Sequence, residues 1–118
     1  MPESGTVYLG VARLELHLPG AASLKDKRAV LQRLTARLRD DLGCSVAEVG
    51  AQDLWRRAVL GVGVVASTHT GVVRVLDRLT AVAERDPRLQ VIGVHDLVDT
   101  LDADGHGLPW RDEHDEQT

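Results

Sequence analysis

A chain of 118 residues has room for one domain with one hydrophobic core and no second domain. No apolar stretch approaches the about 20 residues that cross a bilayer, residues 1–5 lack the features of a secretory signal, and a lone cysteine, Cys44, excludes an internal disulfide. The net charge of −4 is uneven, because residues 99–118 carry seven acids and one base, whereas residues 1–98 carry eleven acids and thirteen bases. We therefore expect a cytoplasmic protein without a membrane partner, with a mildly basic domain at 1–98 and an acidic, disordered tail at 99–118.

The first predicted element is a long strand at 6–18, because apolar residues alternate along it. One face of this strand would carry Tyr8, Gly10, Ala12, Leu14, Leu16 and Leu18. The other face would carry Val7, Leu9, Val11, Arg13, Glu15 and His17. Pro19-Gly20 ends the strand.

A helix is predicted to begin after Ser23, an N-cap residue that is followed three positions later by an acid, Asp26. The buried side of this helix is an apolar stripe at helical spacing, formed by Leu24, Leu31, Leu34, Leu38 and Leu42. Gly43 is the expected C-terminal stop.

The second half of the chain predicts two strands, a helix and a last strand. The strands lie at about 44–50 and about 56–66, joined by a connection that holds Asp53 and Trp55. A second helix runs from the polar segment 67–70 to about Arg85, where Asp86-Pro87 ends it. A fourth strand at 88–98 completes the order βαββαβ.

This order predicts an α+β, ferredoxin-like fold, in which two helices cover one face of a four-stranded antiparallel sheet. The other face of the sheet stays open, apolar at one end and charged at the other, and such a surface usually has a cover. We expect a homodimer, because twofold dimers are the commonest form of self-association. The apolar residues expected at this oligomer interface are Val7, Leu9, Val11, Val59 and Val65.

Three segments, at 10–34, at 45–67 and in the return through Val98, resemble the small bacterial YlxP-like proteins. The most specific parts are Ser-Leu-Lys-x-Lys-Arg at 23–28 and Asp-Leu-Trp at 53–55, while Arg56 stands where a glutamine is usual. The resemblance implies a ferredoxin-like fold, a bacterial cytoplasmic protein and no catalytic residues. Genes of this family tend to lie beside those for translation initiation and ribosome-binding factors, which implies a role with RNA by association.

The strongest candidate site is the beginning of the first helix. Lys25, Lys27 and Arg28 surround a helix N-terminus whose free N–H groups favour an anion. Arg33 and Arg37 extend the positive charge along the helix, so this site would bind the backbone of ribosomal RNA or a ribosomal subunit. The alternative is a solvated helix face, whose N-terminus is already satisfied by the capping residues.

A second candidate is the charged end of the open sheet face. The residues that would converge there are Arg13, Glu15, His17, Glu48, Arg57 and His95. A histidine among carboxylates can form an acid–base pair or a metal site, whereas the plainer interpretation is a ladder of cross-strand ion pairs. Because the spacing matches no ligand motif, we predict no metal and no cofactor.

Aromatic residues are too few for base stacking on the sheet. The third strand has Val59, Gly61 and Gly63 where RNA-recognition domains place rings, and Tyr8 would point at the helices. Trp55 is interpreted as an anchor that packs the hairpin or a dimer partner, with a binding platform as the alternative.

The acidic tail contains a pattern similar to a calcium loop. Asp102, Asp104, His106, Gly107 and Glu113 fall at its positions 1, 3, 5, 6 and 12. A histidine replaces an oxygen ligand and Pro109 interrupts the loop, so we interpret the match as chance in an acidic segment.

No catalytic constellation is recognisable, and the sequence shows no Gly-rich phosphate loop, Ser/His/Asp set or CxxC pair. We therefore expect a non-enzymatic RNA- or ribosome-associated factor. The alternative is a homo-oligomeric ligand-binding or structural module that pairs through its open sheet face. An acyl-phosphate hydrolase comes third, because the Arg/Asn pair for that chemistry is not evident.

Overall fold

The structure, a computed structural model, describes residues 5–104. They form β1 (Val7–His17), α1 (Leu24–Leu42), β2 (Ser45–Gly50), β3 (Arg57–Ala66), α2 (His69–Ala83) and β4 (Gln90–Leu101). Neighbouring strands are antiparallel, and their order in the sheet is β2-β3-β1-β4. This is the predicted βαββαβ arrangement, so the ferredoxin-like fold is confirmed.

The ends of α1 follow from local chemistry. The Ser23 hydroxyl oxygen accepts a hydrogen bond from the Asp26 backbone N–H at 3.0 Å, and the Asp26 carboxylate accepts one from the Ala22 N–H at 3.0 Å. At the other end, Gly43 has the left-handed φ of 69° and donates its N–H to the carbonyl of Arg39. Both caps agree with the sequence prediction.

The core lies between the two helices and one face of the sheet. The even-numbered residues of β1 from Gly10 to Leu16 are buried, as the alternation predicts. The helices supply the facing side chains, including Leu34, Leu38, Val72 and Leu79, each at most 1% exposed. At Gly10 the sheet and α2 approach so closely that an added Cβ would lie 2.5 Å from Cγ1 of Val72.

The opposite face of the sheet, here called the open face, has no helix over it. Val7 and Val11 of β1 are 41% exposed, and Val65 of β3 and Leu97 of β4 are 66% and 54% exposed. Val59 differs from the expectation, because it is only 9% exposed. It pairs with Gly50 at the irregular end of β2, where a Cβ added at Gly50 would lie 3.3 Å from Cβ of Val59.

The last strand is longer than predicted. β4 continues through Asp99 to Leu101, which pairs with Val7, so the first residues assigned to the tail belong to the sheet. α2 ends at Ala83, two residues before the predicted end. Residues 105–118, with most of the calcium-like pattern, lie outside the described residues. Among residues 5–104, neither helix has the length and apolar character needed to cross a bilayer.

Candidate functional site

Lys27 does not lie on the anion-binding surface that the sequence predicts. It is 1% exposed, and its Nζ donates hydrogen bonds to the carbonyl oxygens of Ala51 at 2.7 Å and Leu54 at 2.8 Å. The Glu48 carboxylate lies 2.8 Å from the same nitrogen. A buried ammonium needs such partners, so Lys27 holds the fold together and offers no charge to a phosphate in solution.

These contacts fix the connection between β2 and β3, residues 51–56. Ala51 has a positive φ of 56°, and its carbonyl accepts from Lys27. The far end of the connection is attached to the segment before α1, where Arg56 Nε donates to the Ala21 carbonyl at 3.2 Å and the Leu18 N–H donates to the Arg56 carbonyl at 2.9 Å. The two connections therefore form one rigid corner beside the beginning of α1.

The first turn of α1 is capped by its own side chains. Ser23 accepts from the N–H of Asp26 through its hydroxyl and from that of Lys27 through its carbonyl at 3.2 Å. The Asp26 carboxylate also brings a negative charge to this end of the helix. The alternative stated for this site, an N-terminus satisfied by Ser23 and Asp26, therefore describes the geometry.

Three of the predicted basic residues, Lys25, Arg28 and Arg33, remain exposed, and we call them the α1 basic face. None of their nitrogens forms an ion pair with a carboxylate of residues 5–104. At 3.6 residues per turn they lie within an arc of about 140°, and at 1.5 Å per residue they cover about 12 Å of the helix. Within residues 5–104, these three charges therefore have no carboxylate partner.

Arg37 lies apart from the α1 basic face. Its side chain is half-buried, and its Nη1 atom is buried without a hydrogen-bond partner among the described residues. Its charge also helps to hold the pKa of Asp86 below the usual range. Arg37 of α1 therefore acts through its charge on Asp86, in the turn between α2 and β4, and we do not count it in the α1 basic face.

Charge is separated between the helices and the end of the sheet. The segments 23–43 and 68–88, which contain both helices and their ends, carry ten bases and six acids. Residues 89–104, which contain β4, carry four acids and no base. Among the described residues, positive charge is therefore concentrated on the helix side of the molecule.

Two concavities lie along α1. One of about 510 Å³ is lined by Arg33, Arg88 and Asp26 together with apolar residues of both neighbouring connections. The other, of about 360 Å³, lies between α1 and β2 and is lined in part by Arg28 and Arg39. Each concavity thus has one arginine of the α1 basic face in its wall.

The charged end of the open face forms cross-strand contacts. Glu15 pairs with Arg13 on its own strand, and Arg57 Nη2 of β3 lies 3.7 Å from a Glu15 oxygen. The hydrogen bond from Arg13 is the main cause that lowers the pKa of Glu15, and the charges of Arg57 and His95 add to it. Glu48 was expected here but contacts Lys27 on the helix side.

The chemistry at this end of the face is that of exposed ion pairs. Within residues 5–104, no three side chains of His, Cys, Asp or Glu converge as metal ligands. His17 Nδ1 lies 3.4 Å from the side-chain oxygen of Gln90 across the sheet. Surface pairs of this kind contribute little to stability, and they present no enclosed site for a substrate.

Trp55 is less buried than an internal anchor. It is 50% exposed and the neighbouring Leu54 is 54% exposed. Residues 53–57 line a shallow concavity of about 480 Å³. Tyr8 lies on the helix side, as predicted, with its ring 6.4 Å from that of His69 and almost perpendicular to it.

Comparison with known proteins identifies a family. A family model described as "Protein of unknown function (DUF503)" matches residues 9–96. The chain belongs to this family. It is also similar to the uncharacterized protein YlxP of Bacillus subtilis (strain 168), with 34% identity over 82 residues that cover 70% of this chain and 89% of the relative. The predicted YlxP-like resemblance is thereby confirmed.

A comparison with solved structures finds a de novo designed protein with a ferredoxin fold, determined by solution NMR. It covers 92% of this chain and 94% of the designed chain, at 15% identity and a TM-score of 0.34. The fold assignment rests on the strand order and pairing described above.

Proposed function

We propose that this DUF503 protein is a non-enzymatic RNA-binding factor that contacts the RNA backbone through the α1 basic face. The observation that carries the proposal is that Lys25, Arg28 and Arg33 are exposed, lie on one side of α1 and have no ion-pair partner among residues 5–104. Basic side chains without an ion-pair partner neutralise RNA phosphates without first breaking an existing ion pair. A ribosomal subunit is the RNA partner that we expect.

The distribution of charge supports the same surface. Both helices pack on the same side of the sheet, so their excess of basic residues makes that side positively charged. The open face lies on the opposite side of the sheet. Long-range attraction brings an anionic polymer to the helix side first. The open face has no Phe, Tyr or Trp ring in β1 or β3 for base stacking, which favours contacts to phosphate over sheet-based base recognition.

The test is binding to fluorescein-labelled RNA and to ribosomal subunits at several salt concentrations, with the full chain. The variant Lys25→Glu/Arg28→Glu/Arg33→Glu should lose binding, and the parent should show a logarithmic salt slope that includes about 0.7 for each phosphate contacted on a single strand. Lys27 is left unchanged, because its loss would disturb the fold. Circular dichroism verifies that the variant is folded.

A control separates the surface from the net charge. Lys25→Glu/Arg28→Glu and Arg74→Glu/Arg78→Glu change the charge equally, but the second pair lies on the exposed side of α2. The α1 pair should weaken RNA binding at least tenfold more than the α2 pair. Equal weakening would mean that binding follows net charge alone, and unchanged binding by the triple variant would refute the function.

A second candidate function is a homodimeric module that pairs through the open face. The exposed apolar side chains of Val7, Val11, Val65 and Leu97 favour it, since they lie side by side on three neighbouring strands. At about 3.3 Å per residue and about 4.8 Å between strands, the face measures about 36 by 19 Å. Its area approaches the about 800 Å² that each partner buries in a standard interface.

The oligomeric state tests this candidate. Light scattering should give a dimer for the parent chain and a monomer for Leu97→Glu. Leu54→Glu is the matched control, because both leucines are 54% exposed but Leu54 lies in the β2–β3 connection. A monomeric parent, or a Leu97→Glu variant that remains dimeric, would exclude pairing through the open face.

A further inference from the structure

We infer that Trp55 is a stacking site for an unpaired base, so that the RNA recognised by this protein is single-stranded. This inference rests on the proposed function and specifies its ligand. It concerns residues 51–56, the part of the rigid corner that carries Trp55. These residues lie outside the α1 basic face.

The first observation is the exposure of a large aromatic ring. Trp55 is 50% exposed and lines the shallow concavity of about 480 Å³ with Leu54 and Arg57. Hydrophobic surface of this size costs free energy in water. A half-exposed indole offers ring surface on which any nucleobase can stack, because every nucleobase has a π-face.

The second observation is that the backbone beneath Trp55 is held in place. Lys27 donates to the carbonyls of Ala51 and Leu54, and the Leu54 N–H donates to the Ala51 carbonyl at 3.0 Å. Arg56 Nε is bonded to the Ala21 carbonyl on the other side of Trp55. A platform that is ordered before binding loses less conformational entropy when the ligand arrives.

The third observation is the charge around the ring. Arg56 and Arg57 follow Trp55 directly, and Lys27 joins the carbonyl of Leu54 to the helical turn that carries Lys25 and Arg28. Asp53 is the one acid of the 51–57 segment. Binding sites for single-stranded RNA combine basic side chains that follow the RNA backbone with an aromatic ring on which a nucleobase stacks. A protein interface core is instead depleted of charged residues, so the surroundings of Trp55 favour RNA.

The test uses Trp55 fluorescence in the full chain. Trp110→Phe leaves Trp55 as the single tryptophan. The probes are a 12-nucleotide poly-uridine strand, a 12-nucleotide poly-adenosine strand and a blunt 12-base-pair RNA duplex. Both single strands should quench the emission over the same concentration range in which labelled RNA gains anisotropy, whereas the duplex should leave the emission unchanged.

Substitution gives a second, independent measurement. Trp55→Ala should weaken single-strand binding about tenfold, within the range for loss of one stacked base, and should change duplex binding less than twofold. Trp55→Phe should retain most of the affinity, because it keeps a ring. Leu54→Ala is the control for apolar surface without a π-face, and it should bind as the parent does.

The outcomes separate this inference from the proposed function. Binding to strand and duplex with equal affinity, without quenching, would overturn the stacking site and leave the α1 basic face in place. No binding to either RNA would overturn both. Emission that shifts with protein concentration alone would place Trp55 between two copies of the chain and refute the inference.

Discussion

Lys27 Nζ and the Leu54 carbonyl oxygen lie 2.8 Å apart, and this contact joins the two segments that most specifically resemble YlxP-like proteins. Residues 23–28 begin α1, and residues 53–55 turn the chain from β2 into β3. The buried Lys27 of the first segment donates a hydrogen bond to the carbonyl of Leu54 in the second. Their exposed neighbours are the residues proposed to contact RNA, namely Lys25 and Arg28 on the helix and Trp55 on the connection.

Replacement of Lys27 should destabilise the whole domain. Lys27→Met keeps the side-chain volume but removes the lysine donor from the Leu54 carbonyl, leaves the Ala51 carbonyl with only the Leu54 N–H, and leaves Glu48 without its partner. We expect the free energy of unfolding to fall by about 2–4 kcal/mol, because uncompensated buried polar groups are costly. Urea denaturation measures this loss.

Lys25→Met is the matched control for this prediction. It removes an exposed lysine two residues away in the same turn, so the free energy of unfolding should change by less than about 0.5 kcal/mol. RNA binding should respond in the opposite order, with a larger loss for Lys25→Met at temperatures where both variants are folded. Equal stability of the two variants would show that the buried contacts of Lys27 are dispensable.

The sequence was sufficient for the elements and the two faces of β1 and β3, because alternation assigns each side chain to the core or to the open face. It did not predict the burial of Lys27, although this residue lies on the apolar side of α1, four residues before Leu31 and seven before Leu34. A lysine at such a position is either buried or extends to solvent. Only the carbonyls of Ala51 and Leu54, more than 20 residues away, decide between the two.

The expected exposure of Val59 was wrong for a similar reason. Alternation places Val59 on the open face correctly, but Val59 pairs with Gly50 just beyond the register shift between β2 and β3 and is only 9% exposed. A further correction concerns β4. Asp99 pairs with Leu9 in the sheet, although the acidic composition from residue 99 onward predicts a tail. Strand pairing with β1 outweighs the local composition at this point.

Gly10 and Gly63 should respond oppositely to alanine. A Cβ at Gly10 would lie 2.5 Å from Val72 Cγ1 and 3.0 Å from Val64 Cγ1, whereas a Cβ at Gly63 meets nothing within 4 Å. We expect Gly10→Ala to lower the free energy of unfolding by about 1–3 kcal/mol through overpacking. Gly63→Ala should raise it by up to about 1 kcal/mol by restricting the unfolded chain.

Urea denaturation of the two glycine variants decides this prediction. A Gly10→Ala variant as stable as the parent would mean that α2 moves away from β1 without cost. Loss of stability in Gly63→Ala would mean that the open face is covered at this position. That result would support pairing of two copies through the open face.

Asp86 should make stability depend on pH below about 4. Its carboxylate accepts from Arg88 Nη2 at 2.7 Å, Nε at 2.8 Å and the backbone N–H at 3.0 Å. The side-chain hydrogen bond from Arg88 is the main cause that lowers the pKa of Asp86 to about 2. Because this pKa is lower in the folded state, the contribution is complete above the unfolded pKa of about 4 and is lost as the pH falls to about 2.

Asp86→Asn should accordingly cost about 1–2 kcal/mol at pH 6 and almost nothing at pH 2. The value is below the full conversion of the pKa shift, because the Arg88 side chain is half exposed to solvent. Asp77→Asn, on the exposed side of α2, is the control and should change the free energy of unfolding little at either pH. A loss for Asp86→Asn that is equal at both pH values would show that the ion pair contributes nothing and that shape alone matters.

Cys44 should react with thiol reagents only when the domain opens. It is 3% exposed, and burial raises the pKa of its thiol, so both access and thiolate formation are restricted in the folded chain. At pH 8, alkylation by iodoacetamide should be at least about 100-fold slower in the native protein than in guanidinium chloride, because the reaction waits for opening of the β2 side of the core. Ser45→Cys in a Cys44→Ala background is the matched control, since residue 45 is exposed and its thiol should react almost as fast as in the unfolded chain. Equally fast labelling of Cys44 and of the control cysteine would mean that β2 detaches readily from the sheet, and that the corner anchored by Lys27 is not the fixed platform inferred for Trp55.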